Sequence, residues 1–174
     1  MGRLVRILER AVDLSGYFCA GLVLIILVLI FIEVFSRYVA RQPLRIGEEF
    51  SAYVLVALSY IGAAYVWKEK RHVRITAVVS RVSTRFANWL RVTTLASALI
   101  LMIGLCQGAY SFVATSFNFQ VASNTVFRIP LQVPHLTVLL GFVFLTIWIT
   151  SELAVAIVKI RSGEIVDEVT ISED

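Results

Sequence analysis

The chain has 174 residues, of which 59% are hydrophobic and only 16% charged, and its mean hydropathy is +0.84. A soluble domain of this size carries about 25% charged residues, so composition excludes an ordinary soluble enzyme. The formal net charge of +4 does not imply nucleic acid, because the basic residues flank apolar runs instead of forming a solvated basic face.

Four uncharged runs account for the deficit: 14–32, 50–67, 92–127 and 129–151. Each is long enough to span a bilayer, for which about 20 apolar residues suffice. The expected fold is an all-α membrane protein with a single four-span domain over 1–174. Its spans are placed at about 14–38, 48–67, 92–116 and 134–158, with an interfacial amphipathic helix at about 76–91 and a short N-terminal amphipathic arm.

In the arm, residues 1–13, Arg3, Arg6 and Arg10 sit beside Leu4, Val5, Ile7 and Leu8, which can lie on lipid. The apolar run that follows is too long for a signal peptide and is not closed by a small-x-small site, so an uncleaved first span is expected. Glu33 and Arg37, four residues apart, share a helix face near its end. A weak helix-end ion pair accounts for them. The alternative is that Arg37 reaches a carboxylate or carbonyl of a partner protein.

A turn at Pro43 and Gly47 leads into span two, where Glu48 and Glu49 occupy the first turn. Free backbone N–H groups and the helix dipole favour carboxylates there. Acids at a membrane boundary beside Arg41 and Arg45 are also candidates for a subunit contact. Ser59, Gly62 and Ala63 give this span a small-residue face for close helix packing. It ends in the basic run Lys68, Lys70, Arg71, His72 and Arg74.

From 76 to 91, Val78, Val79, Val82, Phe86, Trp89 and Leu90 fall on one helical side. Arg81, Arg85, Asn88 and Arg91 fall on the other. This predicts a helix in the headgroup region, its cations toward anionic lipid and Trp89 at the boundary. The run 92–127 would make about 54 Å of helix, so the helix is expected to end near Ser116. Gly104 and Gly108 form a G-x-x-x-G spacing that permits close backbone approach, and Gln107 between them should face protein. Arg128, Pro130 and Pro134 then make a rigid return into span four, with proline in its first turn. The tail beyond Arg161 is acidic.

Twelve of the sixteen Lys and Arg residues fall in the N-terminal arm, the segment between spans two and three, and the tail; the other two loops hold four. The positive-inside rule then places both termini and His72 in the cytoplasm, and Glu48, Glu49 and Arg128 outside. Cys19 and Cys106 each lie inside an uncharged run, as small core residues do, without disulfide or metal spacing. The two histidines, His72 and His135, fall on opposite sides of the expected membrane and cannot pair as haem ligands. No phosphate loop, nucleophile motif or C-x-x-C is present, and no lone carboxylate lies at mid-span. No catalytic, metal or cofactor position is expected.

The run from Ser36 to Ile75 resembles the small membrane subunit of tripartite ATP-independent periplasmic (TRAP) transporters. The shared elements are Ser36-Arg37-Tyr38, Pro43-Leu44, Glu48-Glu49, Gly62-Ala63-Ala64 and His72-Val73-Arg74-Ile75. Asn124-Thr125 and Ile129-Pro130 resemble that family's approach to its last span. Lys68-Glu69-Lys70-Arg71 is more heavily charged than the turn usual there. The resemblance implies four spans in a bacterial inner membrane with both ends cytoplasmic, and a scaffold role beside a large multi-span subunit. That subunit would hold the substrate and sodium sites, and a soluble periplasmic binding protein would deliver an organic acid.

Candidate subunit-interface or structural positions are therefore Arg37, Glu48, Glu49, Gly62, His72, Gly104, Gly108 and Arg128. Candidate lipid-interface positions are Arg81, Arg85 and Trp89. Two other classes stay open. One is a stand-alone homo-oligomeric four-span carrier using Glu33 or Glu48; the other is the membrane anchor of a redox complex, which bound haem would reveal.

Overall fold

A computed structural model describes residues 2–39, 41, 46–69, 84–123 and 128–161. Four helices make up nearly all of it: α1 (Gly2–Tyr38), α2 (Ile46–Lys68), α3 (Thr84–Asn118) and α4 (Gln132–Arg161). Each is long and apolar enough to cross a membrane, so the all-α, four-span class holds. Lipid offers no partner for backbone N–H and C=O groups, and a helix satisfies them within one segment. The described residues outside helices pair only at an antiparallel bridge between Ala122 and Pro130.

Two helices run beyond the spans expected from hydropathy. α1 has 37 residues and α3 has 35, about 55 and 52 Å of helix against a hydrocarbon core of about 30 Å. The N-terminal arm is not a separate element, since α1 continues unbroken through residues 2–38. No proline interrupts it, and Asp13, at the expected junction, is held by an ion pair with Lys68 of α2. Likewise 84–91 form the first two turns of α3 and pass without a break into the span. The remainder of the expected interfacial helix, 76–83, lies outside the described residues, as do His72 and Arg81.

α1 packs on α2, α2 on α4, and α4 on α3, which gives the neighbour order α1, α2, α4, α3. Close approach in the α1–α2 and α2–α4 seams follows from small residues. A Cβ at Gly16 would meet the Tyr65 ring at 2.7 Å, and one at Gly62 would meet Cys19 Sγ at 3.2 Å. These pairs, with Asp13–Lys68 at one end and Glu33 against Gly47 at the other, set α1 antiparallel to α2. Gly141 of α4 lies against the backbone of Tyr60, where an added Cβ would come within 2.5 Å of the carbonyl oxygen. Beside it the Tyr60 and Phe142 rings meet edge to face at 5.0 Å.

The buried apolar core, Val12, Ala64, Leu95, Met102, Leu145, Trp148, Ile149 and Ala156, draws on all four helices. The N-terminal halves of α1 and α3 and the C-terminal halves of α2 and α4 supply most of it, so it lies toward the end that carries the N terminus. Elsewhere large apolar side chains face outward, Leu24, Leu27 and Phe31 of α1 among them. In a bilayer that exposure costs nothing, because lipid tails are as apolar as the side chains.

Candidate functional site

Polar side chains gather at the two ends of the helix row. At the end holding the α1–α2 turn, Glu33 is 7% exposed and Glu49 8% exposed. Arg37, one turn beyond Glu33, donates to its Oε1 at 3.1 Å, the i, i+4 pair expected from the sequence. Glu33 packs against Gly47 at the start of α2, where a Cβ would lie 2.8 Å from its own. A larger residue there would force Glu33 or one of the two helices to shift. The Tyr53 hydroxyl donates to Glu49 Oε1 at 2.8 Å and is also hydrogen-bonded to Ser123. Glu49 is thereby linked to the turn between α3 and α4.

That turn is closed by backbone bonds from Ser123 N to Ile129 O and from Leu131 N to Val121 O. Arg128 is exposed there with a φ of 44°, a left-handed conformation uncommon for a residue with a side chain. Beneath it Ser116, which is almost fully buried, shares a short hydrogen bond with His135 Nδ1, and Gln132 Nε2 donates to the Ser116 carbonyl at 3.3 Å. The Phe112 ring lies tilted over His135. These contacts tie the end of α3 to the start of α4.

The opposite end has a second knot. Glu152 of α4 is 8% exposed; its Oε2 accepts from Trp67 Nε1 of α2 at 2.8 Å, and its Oε1 from Arg91 of α3 at 3.3 Å. One carboxylate thus joins three helices, while Asp13–Lys68 joins α1 to α2. The sequence reading placed Arg91 among the headgroup-facing cations; it turns inward instead, its side chain 15% exposed. Sequence reasoning did not single out Glu152, Trp67 or Asp13. The available signal was a carboxylate closing an otherwise uncharged run, with a tryptophan and an arginine at the same membrane depth.

The remaining candidates are spread along the row. Gly62 lies in the α1–α2 seam. Among the described residues Gly104 and Gly108 meet nothing within 4 Å of an added Cβ, so their G-x-x-x-G spacing makes no contact there, and Gln107 between them is exposed. Trp89 is 72% exposed near the start of α3. Glu48 stands in the first turn of α2 and Arg85 in that of α3, but their side chains, like all of His72 and Arg81, are outside the described residues. Among the described residues no three His, Cys, Asp or Glu side chains are grouped to hold a metal. Cys106 meets Thr146 of α4 and Cys19 the Leu58 carbonyl of α2, and the two stay free thiols. The geometry fastens helices together, and even the Ser116–His135 hydroxyl–imidazole pair serves to tie the end of α3 to the start of α4.

Comparison with known proteins agrees with this pattern. The chain is similar to a Haemophilus influenzae protein provisionally named a TRAP transporter small permease protein, with 27% identity over 82 residues. That alignment takes in 47% of this chain and 49% of the relative, so the chain spans about half the length of the curated protein it matches. The model of the family described as tripartite ATP-independent periplasmic transporters, DctQ component, matches residues 26–159. These residues include α2 and α3 whole, all but the last two residues of α4, and the C-terminal third of α1. The four apolar spans, the polar knots at their ends and this match together place the chain in the DctQ family of TRAP transporter small permease subunits, which are transport components and not enzymes.

Proposed function

We propose that the chain is a scaffold in the bacterial inner membrane, with both termini cytoplasmic, pairing with the large membrane subunit of a TRAP-type transporter. The complex takes up an organic acid, coupled to sodium and dependent on a periplasmic binding protein. Substrate and sodium sites belong to the large subunit, and this chain carries no cofactor. Membrane lipids cover the apolar flanks, with Trp89, Arg81 and Arg85 at the headgroup boundary.

One observation carries the scaffold reading: two ion pairs that flank the uncharged runs, Glu152–Arg91 and Asp13–Lys68, fasten neighbouring helices. A chain that moved a coupled ion itself would be expected to need a carboxylate along the path, and the middles of the spans carry none. A fixed row of helices suits a stationary part against which another subunit moves.

The test is reconstitution of this chain alone, and with the large subunit and binding protein, in vesicles carrying a sodium gradient. The expected result is co-purification of the two membrane subunits and uptake only by the full set. Uptake by this chain alone would overturn the scaffold reading. Glu33, a buried carboxylate with one oxygen unpartnered, favours a second reading, the stand-alone carrier. In that case Glu33→Gln would abolish transport by the isolated chain.

A further inference from the structure

Two buried side-chain atoms among the described residues have no hydrogen-bond partner: Glu33 Oε2 and Ser51 Oγ. Both belong to the same seam. Glu33 lies against Gly47, with its Oε2 3.4 Å from a Cβ placed there, and Ser51 is one helical turn further along α2, on the same face as Gly47. Helical side chains lean toward the N-terminus of their own helix. α1 and α2 are antiparallel, so Glu33 leans deeper along the seam while Ser51 leans back toward the turn. The two unpartnered oxygens therefore converge.

Several hydroxyls in these spans bond back to a carbonyl of their own helix, and Ser51 does not. Ser59 bonds back to the Leu55 carbonyl, Thr137 to Val133 and Thr146 to Phe142, which satisfies them locally. Ser51 makes no such bond, and its oxygen is closed to solvent. Glu33, for its part, is more than nine-tenths buried and uses only Oε1 for Arg37. A buried acceptor beside a buried hydroxyl, both closed to solvent, calls for a guest of one or two atoms that can donate and accept.

We propose that a single water molecule occupies the α1–α2 seam, donating to Glu33 Oε2 and bonded to Ser51 Oγ. A buried water typically makes about three hydrogen bonds to polar groups that lack other partners, and the free N–H groups in the first turn of α2 lie beside Gly47 as a further source. The rival guest is a sodium ion, which also favours oxygen ligands. Electrostatics argue against it: Arg37 already neutralises the carboxylate, and the positive end of the α2 dipole faces the same position. Glu33 is then a water-bridged structural acid and not a carrier's ion site, a conclusion that stands apart from the scaffold reading.

The experiment uses the full chain in lipid nanodiscs. A map sharp enough to show ordered water should contain one peak within hydrogen-bonding distance of both atoms, and Ser51→Ala should remove it. Thermal unfolding of Ser51→Ala and Glu33→Gln should each fall by about 2–4 °C, and the double variant should lose no more than the worse single one, because either change breaks the same bridge. Replacing sodium with choline should leave the unfolding temperature unchanged. A seam without a peak, a direct Ser51–Glu33 bond, additive losses, or a sodium-dependent unfolding temperature that disappears in Glu33→Gln would each overturn the assignment.

Discussion

Glu152→Gln isolates the charge in the knot that joins α2, α3 and α4. Glutamine keeps the size and leaves an acceptor for Trp67 Nε1, which now bonds at 2.8 Å. It removes the charge facing Arg91, whose side chain is 15% exposed. Losing one partner of a fully buried ion pair costs about 3–5 kcal/mol. Here the Arg91–Glu152 bond is 3.3 Å long, and arginine has a flexible stem that reaches toward headgroup water. The expected loss therefore drops to about 1.5–3 kcal/mol, the range of a charge-assisted hydrogen bond. At about 2–4 °C per kcal/mol for a chain of this size, unfolding should move down by about 3–12 °C. Glu152→Ala should cost more, since it also leaves the Trp67 N–H without an acceptor. Thermal unfolding in nanodiscs, followed by tryptophan fluorescence, measures both, and the Glu152→Gln, Arg91→Gln cycle isolates their coupling. Wild-type stability in Glu152→Gln, or zero coupling to Arg91, would refute the three-helix knot.

Gly141→Ala should destabilise the chain by about 1–3 kcal/mol, because its Cβ would press on the Tyr60 backbone at 2.5 Å. Gly16→Ala should cost less, since only the side chain of Tyr65 opposes it; equal losses in unfolding assays would contradict the two geometries. Glu49→Ala should lower stability by about 1–3 kcal/mol, and Tyr53→Phe by about 0.5–1.5, because the buried carboxylate loses all its bonds in one case and a single donor in the other. Denaturation of the isolated chain in detergent reads both, with the reverse order counting against the arrangement. Single cysteines at Gln42 and Ser162, in a Cys19→Ser, Cys106→Ser background, should react with an impermeant thiol reagent from outside and inside respectively. Labelling of the Ser162 position in intact spheroplasts would invert the topology.

The spans were legible because hydropathy and chain length act locally: an uncharged run of about 20 residues has few options but a helix across a bilayer. The Glu33–Arg37 pair was legible for the same reason, as was the end of α3 soon after Ser116, where Asn118 and Gln120 collect. Helix ends fared worse where an amphipathic stretch adjoined a span. Residues 84–91 carry an interfacial pattern, yet nothing in them stops a helix, and Arg91 found Glu152 instead of a headgroup. That partner is 61 residues away and Trp67 is 85 residues from the same carboxylate. No local rule connects them, because the order α1, α2, α4, α3 is decided only when the seams close. Glycine makes the point most directly. Gly104 and Gly108 have the spacing associated with close helix contact and face open space among the described residues, whereas Gly141, alone in its run, lies under the Tyr60 carbonyl. A missing side chain permits approach on any helix; which glycine is used depends on the helix that arrives. Spacing therefore marks where a partner can come close, and only the packed neighbours say whether one has.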